Sequence, residues 1–222
     1  MDALSLTPQE ALQELKKGHE RFVSGSPVHP YVDRERLRST FELGQRPFAC
    51  VLGCSDSRKP VELIFHRGVG DLFVVRVAGN ILGPSELGSV EYAVEHLGVP
   101  VFLVMGHKRC GAVKAVYDHG ILSGNLRSLS EKILPAVEKA KQAAQASHGE
   151  KPSDDQIVDY AAKLNVWNAM EEALVKSRPI RSGVKAGSCT VEGAFYCLGT
   201  GEIEWMGTHP NQDEILTNAS GS

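Results

Sequence analysis

The chain has 222 residues, 42% hydrophobic and 23% charged, which supplies one full core and excludes a disordered tail protein or a fibre. Its 24 basic and 27 acidic side chains leave a net charge of -3, so the broad positive field that holds nucleic acid is missing. No apolar run reaches the roughly 18 residues of a membrane span, which argues against a membrane partner.

Thr7-Pro8-Gln9-Glu10 reads as a capping box with proline in the first helical turn, and Leu12, Leu15, His19 and Phe22 follow at helical spacing. A first helix therefore runs to about Val23. Proline and glycine break the chain from Gly25 to Pro30, and a second helix is expected over Asp33 to Leu43, so residues 1–45 form an N-terminal helical arm. Pro47 to Gly53 is a short apolar run of the kind a strand buried on both faces shows, and Asp71 to Val77 and Pro100 to Met105 repeat it. Between the last two, Leu87, Val90, Ala93, Val94 and Leu97 mark a helix over Ser85 to Leu97, closed by Gly98.

Strands alternating with helices predict an α/β fold with a central, mostly parallel sheet flanked by helices. Helices are expected over Cys110 to Tyr117, Ser128 to Gln145 and Ser153 to Lys176, the last ending before Pro179. Strands over Ser188 to Tyr196 and Glu202 to Met206, joined by Leu-Gly-Thr-Gly, form a hairpin that adds an antiparallel C-terminal edge strand. The catalytic unit spans 46–206, and 207–222 reads as a polar, mobile tail on what is one domain overall.

Five cysteines, at 50, 54, 110, 189 and 197, are an odd number in a chain too large to need disulfide staples. They point to a reducing compartment and to metal or catalytic use. The polar opening lacks a signal-peptide pattern, so a cytoplasmic place or an organelle interior is expected, reached in the latter case through a removed targeting segment.

Two patterns stand at the carboxyl ends of predicted parallel strands, where open α/β sheets place their ligands. Cys54-Ser-Asp56-Ser-Arg58 follows the first strand, and His107-Lys-Arg-Cys110 follows the third. Two thiolates and one imidazole suit zinc and leave a fourth tetrahedral position free for water, as a catalytic site requires. Asp56 and Arg58 alternate with Cys54, so both side chains face the same way, and an aspartate held by an arginine stays ionised beside that water. Gly68-Val-Gly70 is a turn, and Cys50, Cys189 and Cys197 read as core or partly exposed thiols. His96 reads as a surface histidine, and Asn218-Ala-Ser220 has the form of a glycosylation acceptor without a secretory context.

These patterns resemble the β-class carbonic anhydrases, and the likeness extends through Gln45 to Pro47, Arg76-Val-Ala-Gly-Asn80, Glu91-Tyr92-Ala-Val and Gly106 to Gly111. The resemblance covers about residues 7 to 206. It implies Cys54, His107 and Cys110 as ligands of one Zn2+ per chain, Asp56 and Arg58 as the catalytic dyad, and reversible hydration of carbon dioxide to bicarbonate and a proton. Gln45 matches the substrate-binding glutamine of the plant-like branch; Phe73, Ala78 and Tyr92 match the apolar lining, with alanine in place of valine; Gly111 offers its N–H. Val51 stands where another branch carries the tryptophan of a bicarbonate pocket, which implies an open site with Asp56 on Arg58. Lys59 and Lys108 depart from the family pattern, which has an apolar residue and a small polar one there. A homodimer or dimer-based assembly is implied, with Tyr92 and the first helix contributing across the boundary. The rival readings are hydrolysis of carbon disulfide or carbonyl sulfide on the same scaffold, and a non-catalytic zinc-binding shell protein.

Overall fold

The computed structural model describes residues 6–25, 32–147 and 151–219. The first five residues, the segment 26–31 of the expected proline and glycine break, and Ser220 of the acceptor pattern lie outside them.

Helix α1 (Pro8–Val23) starts at the expected capping box: the Thr7 side chain accepts from the Glu10 N–H while the Glu10 carboxylate accepts from the Thr7 N–H. Helix α2 (Arg34–Leu43) is capped by Asp33 and buries none of its residues. Strand β1 (Ala49–Gly53) is buried throughout, a one-turn helix α3 (Val61–Ile64) follows, and β2 (Leu72–Arg76) runs parallel to β1. A tight turn, Ala78–Asn80, leads to α4 (Pro84–Glu91). The helix expected to reach Leu97 instead widens into a π turn over Tyr92–His96, with the Leu97 N–H bonding back five residues to Tyr92. Gly98 then ends it with φ of 65°, a conformation glycine adopts without strain.

Strand β3 (Val101–His107) runs two residues further than expected, to His107, and α5 (Gly111–His119), α6 (Arg127–Gln145) and α7 (Asp154–Lys176) follow. Helix α8 (Arg178–Lys185) corrects the reading of Pro179 as a stop. The proline sits in the first turn of α8, where its missing N–H has no helical partner to lose, so it marks a start. Strands β4 (Thr190–Tyr196) and β5 (Ile203–Gly207) close the sheet as the expected antiparallel pair. The tail expected to be mobile beyond Gly207 carries α9 (Gln212–Asn218), whose Ile215 and Leu216 pack against the core. Two apolar residues spaced within one turn were too weak a periodic signal to reveal it.

The sheet order is β2-β1-β3-β4-β5, parallel except for β5. Alternate residues feed opposite layers, as a pleated strand requires. Cys50, Leu52, Phe102 and Val104 join Val166, Met170 and Leu174 of α7 on one face, whereas Ala49, Val51, Leu103 and Met105 meet Ala11 and Leu15 of α1 on the other. A third apolar cluster, with Ile133, Ala136 and Val137 of α6, surrounds Cys54 and Cys110.

Gly106 sets how closely β3 approaches α7. A Cβ there would lie 2.6 Å from Val166 Cγ2 and 3.4 Å from the Ala162 carbonyl oxygen. Gly106→Ala is expected to cost about 1–3 kcal/mol of stability by overpacking, read as a lower midpoint in equilibrium urea unfolding. An unchanged midpoint would mean that α7 gives way freely.

Candidate active site

Strand order reverses between β1 and β3: the chain passes from β1 to one side and from β3 to the other. In an open α/β sheet this is where the carboxyl ends of the strands splay and leave a crevice. Cys54 directly follows β1, His107 ends β3, and Cys110 caps α5. Their ligand atoms all lie within 4.8 Å of one another, and all three residues are buried.

The Cys54 and Cys110 sulfurs are 4.0 Å apart. A tetrahedral zinc with bonds of about 2.3 Å to each sulfur sets them about 3.8 Å apart. His107 Nδ1 lies 3.0 Å from the Lys108 carbonyl oxygen. A carbonyl only accepts, so Nδ1 carries the hydrogen and Nε2 presents its lone pair. That Nε2 is buried and has no hydrogen-bond partner among the described residues, an expensive arrangement unless a cation takes the lone pair. The donor set therefore fits a zinc ion. The Cys54 thiol is held well below the ordinary thiol range by hydrogen bonds from the Cys110 thiol first, and also from the Gly79 N–H at 3.3 Å. Cys110, the donor of that pair, is pushed up.

Asp56 faces the same space, its Oδ2 4.0 Å from His107 Nε2. Both its oxygens are committed to Arg58: Oδ1 accepts from Nε at 2.9 Å and from the Arg58 backbone N–H at 2.9 Å, and Oδ2 accepts from a terminal guanidinium nitrogen at 2.7 Å. The guanidinium keeps the Asp56 carboxyl far below the usual carboxylate range. Arg76, the last residue of β2, donates to the Cys54 and Asp56 carbonyls at 3.2 and 2.7 Å and holds the loop between them. Lys108, unexpected from the family pattern, is exposed and lies 3.8 Å from Asp159.

The structure brings together Cys54, His107 and Cys110 and pairs Asp56 with Arg58, as the sequence leads one to expect, but two supports on α7 are not visible in it. Asp159 accepts from the Arg109 N–H at 2.7 Å, fixing a residue with φ of 54° between the two β3-side ligands. Asn165 donates to the Gly79 carbonyl at 2.7 Å and so steadies the turn that bonds Cys54. The one available signal was a buried asparagine between Leu164 and Val166 on an apolar helix face. Ala78 lies in that same turn, and the space before Gly111 is open. Phe73 and Tyr92 meet at a tilt with ring centroids 6.0 Å apart, and Tyr92 meets His96 at a tilt at 5.4 Å. Gln45 is exposed beyond α2, and no hydrogen bond joins it to the ligand group among the described residues. Burial pushes the Cys50 and Cys189 thiols up, as inert core cysteines require.

Two thiols and an imidazole with a carboxylate beside them, at the switch point of a parallel sheet, form a group that could hold a metal ion where such sheets bind their ligands. The family model described as "Carbonic anhydrase" matches residues 49–203. A carbonic anhydrase of Mycolicibacterium smegmatis is 38% identical over 201 residues, which is 89% of this chain and 92% of that one. Carbonic anhydrase 2 of Mycobacterium tuberculosis is 35% identical over 198 residues, 87% of this chain and 90% of its own. Among solved structures, the β-carbonic anhydrase CafA of Aspergillus fumigatus superposes with a TM-score of 0.73 at 26% identity, covering 95% of each chain. One of two tetrameric β-carbonic anhydrases of Sordaria macrospora gives 0.68 at 29% identity, covering 78% of this chain and 87% of that one. The chain belongs to the β-carbonic anhydrase family. It is a zinc enzyme that interconverts carbon dioxide and bicarbonate.

Because Asp56 is depressed by its partner, the pair stabilises the fold above the ordinary aspartate range and loses that contribution as pH falls through the lowered value. Arg58 is 57% exposed, which keeps the contribution small. In Arg58→Ala the Asp56 carboxyl is expected to titrate higher, observed by carboxyl-carbon NMR. A titration identical to the wild type would show that the arginine does not hold it.

Proposed function

We propose that Cys54, His107 and Cys110 hold the zinc, one ion per chain, and that Asp56, fixed by Arg58, accepts a hydrogen bond from the attacking water and orients it. The observation that carries this reading is the unpartnered, buried His107 Nε2 grouped with two thiol sulfurs within 4.8 Å. Zinc supplies the Lewis acidity that makes water nucleophilic near neutral pH. An Asp56 with both oxygens on Arg58 remains ionised and keeps a fixed orientation, so it accepts a hydrogen bond without moving. The same commitment supports an open site, since leaving Arg58 would forfeit two charge-assisted bonds. Carbon dioxide is uncharged and donates no hydrogen bond, which suits a wall built by Phe73, Ala78 and Tyr92. The Gly111 N–H and the Gln45 side chain, in the manner of the plant-like branch, then orient its oxygens. The site needs reduced thiols, which supports a reducing compartment, and the five cysteines are free. No helix among the described residues is long and apolar enough to cross a membrane.

Cys110→Ser is expected to lose most of the zinc found by metal analysis and most of the hydration rate found by stopped flow. A variant that keeps full occupancy and full rate would overturn the ligand assignment.

The pocket is completed by a second copy of the chain. Tyr92 is 46% exposed, and α2 presents Leu37, Phe41 and Leu43 at 52, 88 and 72% exposure. So much apolar surface on one short helix is normally covered. The Sordaria macrospora enzymes are described as tetrameric, which supports self-association. Light scattering is expected to give at least about twice the 24.0 kDa chain mass, and Phe41→Glu is expected to lower it. A wild-type mass of one chain at micromolar concentration would refute the assembly.

A further inference from the structure

Lys59 is a buried ionisable group that the reaction does not use. It is 0% exposed, and no ion pair joins it to a carboxylate among the described residues. Burial pushes its ammonium down to about 7, a cost that an apolar side chain of the same size would avoid. Stability alone therefore does not account for it.

Its contacts lie at both strand ends that carry ligands. The Nζ donates to the carbonyl oxygen of Met105, two residues before His107 on β3. On the β1 side it rests on Gly53, the residue before Cys54, where a Cβ would come within 3.0 Å of Nζ. Gly53 and Met105 are register partners in the β1–β3 pair, so the ammonium spans the ends of two paired strands just beneath the site. The Lys59 N–H also bonds the Asp56 carbonyl at 3.1 Å and closes the turn that presents Asp56 and Arg58. The side chain thus touches both strand ends behind Cys54 and His107, and the Lys59 backbone holds the turn of the carboxylate beside them.

We infer that Lys59 is a positioning residue whose tie to the Met105 carbonyl fixes the spacing between Cys54 and His107 and so slows the loss of zinc. This rests on the ligand assignment proposed above. Contacts one step behind metal ligands typically change metal affinity by about 10- to 100-fold when removed, because they hold the ligands in a geometry the metal would otherwise have to organise. The departure of this chain from an apolar residue at 59 is then a device for ligand geometry.

The test uses Lys59→Met, which keeps the stem length and removes the donor. Three quantities are read: zinc release from the holoenzyme into a chelator, the absorption spectrum of the cobalt-substituted protein, and urea unfolding of the zinc-free protein. Zinc is expected to leave at least about 10-fold faster, with shifted cobalt bands and a zinc-free unfolding midpoint equal to or above the wild type. Release within about twofold of the wild type, well under the expected range, with an unchanged cobalt spectrum would overturn the inference. Faster release with a parallel fall in the zinc-free midpoint would overturn it too, since that marks a general packing role. Should Lys59→Met not fold, Gly53→Ala presses on Nζ while leaving its charge in place: accelerated release supports the tie, and unchanged release refutes it. A wild-type protein that failed to hold one zinc per chain would instead sink the ligand assignment, which keeps the two failures apart.

Discussion

The parallel pairing of β1 with β3 is the constraint on which the site depends. Their register sets Gly53 opposite Met105, so Cys54 and His107 emerge from neighbouring strands at the point where the chain departs in opposite directions. Neither residue would meet the other through local sequence, since 53 positions separate them. The sheet supplies the rigidity and the reversal of strand order supplies the opening. Only Lys108 and Arg109 separate Cys110 from His107, and Arg109 turns that loop by taking a positive φ that Asp159 holds in place.

The charge arrangement follows from this geometry. Two thiol groups and a carboxylate converge in a small, mostly buried volume, where like charges repel strongly. Arg58 takes the carboxylate outward, Arg76 binds the carbonyls of Cys54 and Asp56, and the Gly79 N–H and Cys110 thiol bond the Cys54 sulfur. Each partner leaves the site's charged atoms satisfied on one side and open on the side where His107 Nε2 stands without a partner. That asymmetry distinguishes a site built to hold a cation from a cluster of buried polar groups.

What was legible in the sequence divides along the same line. The apolar runs at β1 and β3 mark strands buried on both faces, because such a strand has no polar alternation, whereas the run at β2, which the sequence presents in the same way, forms a half-buried edge strand ending on the exposed Arg76. Cys54, Asp56, Arg58, His107 and Cys110 were visible because ligand chemistry fixes residue type and spacing within a few positions. The supports were not visible, since Asn165 reaches Gly79 from 86 residues away and only the packing of α7 on β3 brings them together. Helix α8 was hidden by a proline whose meaning reverses at a helix start, and the π turn at Tyr92–His96 by an apolar period that continues through it.

The π turn bears on how far one chain can make a substrate pocket. One extra residue in the turn rotates everything after it relative to an ordinary helix, and such turns often occur at functional positions. Here it accompanies a row of tilted ring contacts, Phe73 to Tyr92 to His96, along the β2 side of the sheet, with Tyr92 half exposed. An aromatic ring left in water contributes nothing to holding an apolar molecule, and Gln45 and Phe41 are exposed as well. Under the proposed assembly these costs become the means of recognition: covering Tyr92 and α2 with a second copy dries the wall, and a dry wall strengthens both the apolar contact with carbon dioxide and the hydrogen bonds to the charge that develops on it. The interior of each subunit would then supply the chemistry, and the contact between subunits the medium in which it runs.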